Sequence, residues 1–154
     1  MSVEQKLADL GLTLPTPPKP LGNYTAVSEA GNLLFISGQG PISNGKLMWT
    51  GRVGDELTLE EGQEAAQLTA LNVLAQIKQH LGSFERLHHI VRVEGHVSSV
   101  AGFLGQPAVL DGASDLFAAV LGEKAGHARS AFSHSQLPAN LPVELVVIAQ
   151  ILPA

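Results

Sequence analysis

The strongest periodic pattern in the chain predicts a long helix. From Thr58 to Leu81, apolar residues recur every three or four positions, which is the spacing of one buried stripe on a helix. Thr58 and Glu61 have the spacing of a capping box, in which each side chain bonds the other residue's backbone N–H group. Gly82 follows as a typical stop signal, because glycine readily adopts the left-handed conformation. Both ends of this helix are therefore defined by the sequence.

Two shorter segments also have helical character. Leu110–Leu121 repeats the three- and four-residue spacing of apolar positions, and Asp111 or Ser114 lies near its predicted start. Val3–Leu10 follows Ser2, whose hydroxyl can cap the first turn. We expect this short N-terminal helix to contribute little to function.

Apolar runs and alternations predict the strands. In chain order these are Tyr24–Ser28, Leu33–Ser37, Leu47–Trp49, Ile90–Ser98, Ser130–Ser135 and Val143–Ile151. Ile90–Ser98 alternates along its length, which predicts that Val91, Val93 and Val97 face the core together. Val143–Ile151 is apolar on both sides, as is typical of a strand that is covered on both faces.

The order of these elements predicts an α+β fold, with two helices packed on one face of a mixed sheet. Two helices can cover only one face, so we expect the other face of Val143–Ile151 to meet another copy of the chain. Thr13–Pro20 holds four of the nine prolines and predicts an extended connector. We therefore assign residues 1–20 to a short helix and this connector, and residues 21–154 to a single domain.

Composition narrows the classes of function. The chain has 9 Lys and Arg against 14 Asp and Glu, a formal net charge of −5, which disfavours nucleic acid as a partner. It has no cysteine, so disulfides, a thiolate nucleophile and sulfur ligands for a metal are excluded. The N-terminal segment does not resemble a secretory signal, and no apolar run is long enough to span a membrane. We expect a cytoplasmic protein without a membrane partner.

Two charged residues stand out near the C-terminal end. Glu144 lies inside an apolar strand, where a buried carboxylate needs a partner. It could be a structural carboxylate bonded by backbone N–H groups, or it could place a water molecule for attack. Arg129 could form a surface ion pair, or it could hold a substrate carboxylate with two N–H groups.

The pairing of the last two strands decides whether these residues meet. In a simple hairpin about residues 137–142, Glu144 would face Ser135 rather than Arg129. Either the two strands are separated in the sheet, or the pair meets across an interface between copies. The sequence leaves both arrangements open.

The histidines predict no metal site. His88 and His89 are adjacent, so on a strand they would point to opposite faces. His127 lies two residues before Arg129 and could reach the same pocket, although a water-exposed loop position is favoured. No phosphate-binding or nucleophile-elbow motif occurs. We expect neither a metal nor an organic cofactor.

Several short motifs occur in the order seen in one known family. They are Leu21-Gly22-Asn23-Tyr24, Ser37-Gly38-Gln39-Gly40-Pro41, Ala128-Arg129-Ser130, Leu137-Pro138 and Val143-Glu144-Leu145. Together they resemble the motifs of the reactive intermediate deaminases, the Rid or YjgF family, whose members are also called L-PSP endoribonucleases. This resemblance covers most of the chain, from about residue 21 to residue 151.

The resemblance implies a fold, an assembly and an activity. The fold would be chorismate-mutase-like, and the assembly a homotrimer around a barrel-like centre with three sites in the clefts between subunits. The activity would be the hydrolysis of 2-imino or 2-enamino acids, such as 2-aminoacrylate, to 2-keto acids and ammonia, without a cofactor. One alternative is a non-catalytic module that binds small carboxylates. An endoribonuclease is a weaker alternative, because the net charge is negative.

The resemblance also implies roles for five residues. Arg129 would bind the substrate carboxylate, and Glu144 would position or activate the attacking water. Tyr24, which the pattern alone would place in the core, would line the pocket from a neighbouring subunit. Ser37 and Gly38, otherwise turn residues, would form part of the pocket wall.

Three positions depart from the family pattern. Gly112 replaces a common asparagine 17 residues before the arginine, Ala131 replaces a common cysteine, and Asn23 replaces a proline. These differences are typical of a divergent branch. They bear on the substrate range more than on the fold.

Overall fold

A computed structural model describes residues 1–154 as three helices and seven strands. The helices are α1 (Val3–Asp9), α2 (Leu59–Leu81) and α3 (Gln106–Leu121). The strands are β1 (Val27–Ala30), β2 (Leu33–Gln39), β3 (Ile42–Ser43), β4 (Lys46–Leu47), β5 (Leu87–Ser98), β6 (Ala128–His134) and β7 (Val143–Ile151). Single 3-10 turns follow α3 at Gly122–Ala125 and precede β7 at Pro138–Asn140. None of the helices is long and apolar enough to cross a membrane.

Five strands form one mixed sheet in the order β1-β2-β7-β5-β6. β6 pairs with β5 in parallel, and the other neighbours are antiparallel. α2 and α3 pack on one face of this sheet, which confirms the predicted α+β class. β3 and β4 form a separate hairpin whose turn, Asn44 and Gly45, has positive φ at both residues.

β7 lies at the centre of the sheet, and its alternate residues divide the two faces. Val143, Leu145 and Val147 are fully buried against the helices. Glu144 and Val146 point to the opposite face and are half-buried. We call this opposite side of the sheet the outer face. No part of the same chain covers the outer face with a second layer, as expected from two helices on one side.

The ends of the helices follow the predicted chemistry. Thr58 Oγ1 accepts a hydrogen bond from Glu61 N (3.1 Å), and Glu61 Oε1 accepts one from Thr58 N (3.0 Å), which confirms the capping box. Gly82 ends α2 in the left-handed conformation, with φ of 84°. Ser2 and Gln5 form a second reciprocal box at α1. Local sequence therefore fixes these boundaries.

The predicted start of α3 was wrong. The helix begins at Gln106 rather than Leu110, and Pro107 lies in its first turn. Proline is tolerated there because the first N–H groups of a helix have no partner within it. Asp111 and Ser114 therefore lie inside α3 and do not cap it, which leaves both side chains free for contacts across the helix surface.

The predicted core face of β5 was also partly wrong. The pairing of β5 with β7 shifts register between Ile90 and Arg92, as at a β-bulge. Because the extra residue resets the alternation, Ile90 and Val93 both face the core, whereas Val91 is only half-buried. Strict alternation cannot predict such a shift.

The early strands differ from their predicted bounds. β1 begins at Val27, so Tyr24 lies in the preceding loop rather than on a strand. β2 continues past Ser37 to Gln39, and its pairing with β7 becomes irregular after Ile36. The residues expected to form a turn therefore extend the strand.

β6 and β7 do not form a hairpin. β6 begins at Ala128, so Arg129 is its second residue, and β5 lies between β6 and β7. The two strands are therefore separated in the sheet, which is one of the arrangements that the sequence left open. β6 is an edge strand, with one side unpaired.

Candidate functional site

A cleft of about 280 Å³ opens where β2 ends and β7 begins. Four of the five predicted site residues line it: Tyr24, Ser37, Gly38 and Glu144. Its other walls come from the proline-rich connector, the loop after β2 and the 3-10 turn before β7. We call this region the Glu144 cleft.

Glu144 reaches the cleft from the outer face of β7. No protein group donates a hydrogen bond to its carboxylate, and the ring nitrogens of His96, its cross-strand partner, face His134 and Glu94 instead. A methyl group at Gly38 would overlap the Glu144 carboxylate, so any larger residue here would displace the Glu144 side chain from its present position. The interpretation as a structural carboxylate held by backbone N–H groups is therefore wrong. The oxygens are available to a ligand or a water molecule.

The polar groups beside Glu144 have defined hydrogen-bond roles. Ser37 Oγ donates its proton to the Thr25 carbonyl oxygen (2.7 Å), so only its lone pairs remain for a ligand. Tyr24 is 53% exposed and is not a core residue. Its hydroxyl oxygen accepts a hydrogen bond from Leu21 N (3.2 Å), which leaves the phenolic proton free to be donated.

Two buried amides on α2 hold the cleft walls from behind. Asn72 Nδ2 donates to the carbonyl oxygens of Gly40 (2.9 Å) and Ile42 (2.8 Å). Gln76 Nε2 donates to the Pro18 carbonyl oxygen (2.8 Å) in the connector. Sequence reasoning missed both residues. The available signal was a pair of carboxamides among the apolar positions of α2, because a buried amide requires partners.

Arg129 belongs to a second region, on the helix side of the sheet. Its Nη1 donates to Asp111 Oδ1 (2.9 Å) and to Ser114 Oγ (3.1 Å), both on α3. Its Nη2 lies 3.4 Å from the Pro107 carbonyl oxygen. The side chain is 24% exposed. We call Arg129, Asp111 and Ser114 the Arg129 clamp.

The clamp and the cleft do not meet within one chain. Arg129 pairs in register with the core-facing Val93, whereas Glu144 lies on the outer face. β5 also separates their two strands, and two strand spacings amount to about 10 Å. Within a single copy of the chain, the clamp and the cleft are therefore two separate regions.

His127 contacts the Arg129 clamp through Ser114, whereas the sequence favoured a water-exposed position. Its Nε2 lies 2.9 Å from Ser114 Oγ, and its Nδ1 contacts the Ala125 carbonyl oxygen. Its ring packs edge-on against Phe117, with 6.0 Å between centroids. The only sequence signal for this role was its position two residues before Arg129.

The three departures from the family pattern lie in different surroundings. Gly112 faces α2, where a methyl group would overlap the backbone carbonyl of Gln63, so it is a helix-packing residue and not a pocket residue. Asn23 is exposed and precedes Tyr24, but it does not line the cleft. Ala131 is exposed on β6, two residues after Arg129.

The charges in the Glu144 cleft are few. Lys19 is the one cation among the residues that line it, and its side chain is exposed. No group of three or more histidine, aspartate or glutamate side chains in the structure is arranged to hold a metal ion. The arrangement is suited to a small ligand with one or two polar groups rather than to a polyanion.

Comparisons with known proteins agree on one family. A family model described as YjgF/chorismate mutase-like, proposed endoribonuclease, matches residues 4–151. The protein TCP17 of Trypanosoma cruzi is 37% identical over 150 residues, covering 97% of this chain and 94% of that protein.

Two solved structures are similar to this chain in both sequence and fold. The Agrobacterium tumefaciens protein Atu1372, whose function is described as unknown, is 41% identical, with a TM-score of 0.92 over 97% of this chain and 92% of that one. A proposed endoribonuclease from Shewanella oneidensis is 36% identical, with a TM-score of 0.94 over 97% of this chain and 99% of that one.

Proposed function

Because the chain belongs to the YjgF/chorismate mutase-like family, we propose that it is a hydrolytic deaminase of reactive 2-imino and 2-enamino acids, of which 2-aminoacrylate is an example. The products are a 2-keto acid and ammonia. The substrate carries a carboxylate beside a C=N carbon, so its site needs a cation for the carboxylate and an acceptor that can orient a water molecule.

The observation that carries this proposal is the unpartnered carboxylate of Glu144. It lies in a small cleft with its oxygens free, and Gly38 leaves the space that they occupy. A general base must lie within about 3 Å of the water that it activates. The absence of protein donors leaves this position open to a water molecule and to the substrate.

Arg129 supplies the cation from a second copy of the chain. The edge of β6 is unpaired, and Phe132 on the same strand is 42% exposed, both of which favour docking against another copy. Such docking would bring the clamp of one copy to the cleft of the next. The family resemblance implies three copies, and hence three composite sites in a homotrimer.

The proposed reaction uses these groups in sequence. Arg129 binds the substrate carboxylate. The water held by Glu144 adds to the C=N carbon and forms a C–O bond, while one water proton passes to the Glu144 carboxylate. Glu144 returns this proton to the nitrogen, which gives a carbinolamine. The hydroxyl proton then passes through Glu144 to the nitrogen, the C=O bond forms as the C–N bond breaks, and ammonia leaves. Tyr24 donates its phenolic proton in a hydrogen bond to the developing hydroxyl or the nitrogen, since that proton has no other partner.

This reaction changes no oxidation state and requires no electron carrier. Its substrates hydrolyse quickly in water, so orientation and exclusion of side reactions account for most of the catalysis. RNA cleavage is less well supported, because the chain has a net charge of −5 and the cleft contains one exposed lysine.

A coupled assay tests the proposal. An amino-acid lyase or oxidase generates 2-aminoacrylate or a longer imino acid in situ, and semicarbazide traps what remains. We expect the wild type to lower trapping and Arg129→Ala to lose this effect. Arg52→Ala is the matched control, because Arg52 also forms an ion pair, with Asp55 (3.2 Å), but does not line the cleft.

One pattern of results would replace the proposal with its alternative. If no variant changes trapping, while a 2-keto acid still binds the wild type and not Arg129→Ala, the protein is a module that binds small carboxylates. RNA cleavage that disappears in Arg129→Ala would favour the endoribonuclease instead.

A further inference from the structure

The guanidinium of Arg129 is held on one side by α3. Nη1 has two N–H groups, and both are used, one by Asp111 Oδ1 (2.9 Å) and one by Ser114 Oγ (3.1 Å). The Nη2 contact with the Pro107 carbonyl oxygen is longer, at 3.4 Å. These contacts fix both the position of Nη1 and the plane of the group.

Hydrogen-bond chemistry gives this support a direction. A carbonyl oxygen only accepts, so the contact with Ala125 requires the proton of His127 to be on Nδ1. His127 Nε2 then carries a lone pair and accepts the hydroxyl proton of Ser114 (2.9 Å). Ser114 Oγ in turn offers its lone pair to Arg129 Nη1. With a neutral imidazole at His127, this order satisfies every contact from Arg129 through Ser114 to His127.

The opposite edge of the guanidinium has no protein partner. Arg129 has five N–H donors, and the three contacts above leave the Nε–H group and one N–H group of Nη2. Nε–H and Nη2–H form one of the two parallel pairs with which arginine binds a carboxylate.

We propose that Asp111, Ser114 and His127 are positioning residues for Arg129, which hold Nη1 so that the Nε–Nη2 edge is the one offered to a substrate carboxylate. The identity of that substrate rests on the proposed function, whereas the support of Arg129 does not. Asp111 thus assists binding. It does not occupy the place of the substrate.

The exposure of Asp111 favours this role over a purely structural one. Its side chain is 51% exposed, and ion pairs of this kind contribute little to the stability of the fold. An arginine side chain loses several rotatable bonds when it is fixed. Fixing it before the ligand arrives removes that cost from the binding step.

Binding of pyruvate to the full oligomer tests the inference. Isothermal titration calorimetry would compare the wild type with Asp111→Ala, Asp111→Asn and Ser114→Ala. We expect Asp111→Ala to weaken binding about fivefold, and Asp111→Asn, which keeps an acceptor oxygen, to weaken it less. Asp115→Asn is the matched control, because Asp115 is exposed on the same helix and makes no side-chain contact.

Steady-state kinetics with an imino acid as substrate should separate the effect on binding from any effect on turnover. We expect KM to rise with Asp111→Ala while kcat changes little, because the water and Glu144 are unaffected. Unchanged or tighter binding in Asp111→Ala would overturn the inference, and tighter binding would mean that Asp111 competes with the substrate.

A second measurement does not depend on the proposed function. The Nε–H resonance of Arg129 in a ¹H–¹⁵N spectrum reports the order of the side chain without any ligand. We expect it to be rigid in the wild type and mobile in Asp111→Ala and Ser114→Ala. If pyruvate does not bind at all, the proposed function fails, but the spectrum still tests the positioning role of Asp111 and Ser114. Equal rigidity of the Arg129 side chain in all variants would contradict that role.

Discussion

The Arg129 clamp and the Glu144 cleft are built in opposite ways. Arg129 and Glu144 are both half-buried charged residues of one sheet, yet Arg129 donates three hydrogen bonds to its own chain and Glu144 accepts none. The clamp is rigidly supported by side chains on α3. The cleft is shaped by backbone groups, by Gly38 and by buried amides beneath it.

The difference matches the tasks that we assign to the two regions. A group that binds a fixed carboxylate benefits from being held in place before the ligand arrives. A group that receives a proton from water needs free lone pairs and space. The two regions also lie on opposite faces of the sheet, so in the proposed assembly each copy would contribute its clamp to one site and its cleft to another.

The largest expected effect is on turnover, from a change in the cleft. Glu144→Gln keeps the size of the side chain and removes its basic oxygen. We expect kcat to fall by about 10²- to 10⁴-fold, because this is the usual contribution of a positioned base. Pyruvate should still bind, as measured by calorimetry. Glu123→Gln, on an exposed turn, is the control, and a full loss of pyruvate binding in Glu144→Gln would contradict the division of roles.

The next effect is on binding, from a change in the clamp. Removing the guanidinium in Arg129→Ala should weaken pyruvate binding by about tenfold to a hundredfold, as expected for the loss of charged hydrogen bonds. Arg129→Lys should recover little, since lysine cannot offer two parallel N–H groups. Titration calorimetry measures both. Equal affinities for Arg129→Lys and the wild type would show that charge alone is sufficient.

A packing change should affect the clamp and spare the cleft. In Gly112→Ala the new methyl group meets the Gln63 carbonyl and pushes α3 away from α2. We expect the free energy of unfolding to fall by about 1–3 kcal/mol, as in overpacked cores, and KM to rise more than kcat falls.

Urea unfolding and steady-state kinetics would measure these two effects. Gly126→Ala is the matched control, because the nearest atom to its methyl group would be 3.9 Å away. If Gly112→Ala lowers kcat and leaves KM unchanged, the displacement of α3 does not affect substrate binding through Arg129.

The smallest effect should come from outside both regions. The Lys78 Nζ hydrogen bond (2.9 Å), aided by the backbone of Glu4, holds the pKa of Glu4 below its ordinary value of 4.5. A depressed pKa stabilises the fold above pH 4.5, and this contribution disappears as the pH falls through the folded value. Glu4→Gln should therefore lower stability at neutral pH by less than about 1 kcal/mol, because the pair is exposed.

Thermal unfolding at pH 7 and below pH 4 would reveal this difference. The difference in stability between Glu4→Gln and the wild type should disappear at the acidic pH, while kcat and KM stay unchanged. Glu64→Gln, an exposed acid on α2, should behave like the wild type at both values. A gap that widens in acid would contradict the assigned cause.

The parts of the fold that the sequence predicted depend on local chemistry. The capping box of Thr58 and Glu61, the stop at Gly82 and the bounds of Val143–Ile151 all follow from residues close in the chain. The mixed sheet with helices on one face also followed, because the order of elements limits the arrangements.

The errors came from effects that local sequence does not encode. The register shift near Ile90 depends on the pairing with β7. The position of β6 at the sheet edge, which the sequence left open, depends on the crossover through α3. The apolar pattern does not mark Pro107 as part of a first helical turn, so it places Asp111 or Ser114 near the start of the helix, whereas both lie inside it.

The residues of the candidate site also divide into those that the sequence predicted and those that it did not. Tyr24, Ser37, Gly38 and Glu144 were predicted by motifs that resemble those of a known family, and the structure brings these four residues together. The partners of Arg129 were not predicted, because Asp111 and His127 lie on different elements and meet it only in three dimensions. Their roles remain proposals.

Complementation between two inactive variants tests the central claim that each site is shared by two copies. Glu144→Gln and Arg129→Ala would be co-expressed with different affinity tags, and mixed oligomers would be isolated by purification on both tags. In a three-membered ring that contains both variants, one of the three sites combines an intact Arg129 from one copy with an intact Glu144 from the next.

We therefore predict that the mixed oligomers recover about a third of wild-type deaminase activity, whereas each parent alone stays far less active. Activity no higher than that of the parents, in mixed oligomers of wild-type size, would contradict the composite site and place Arg129 outside the reaction of the neighbouring cleft.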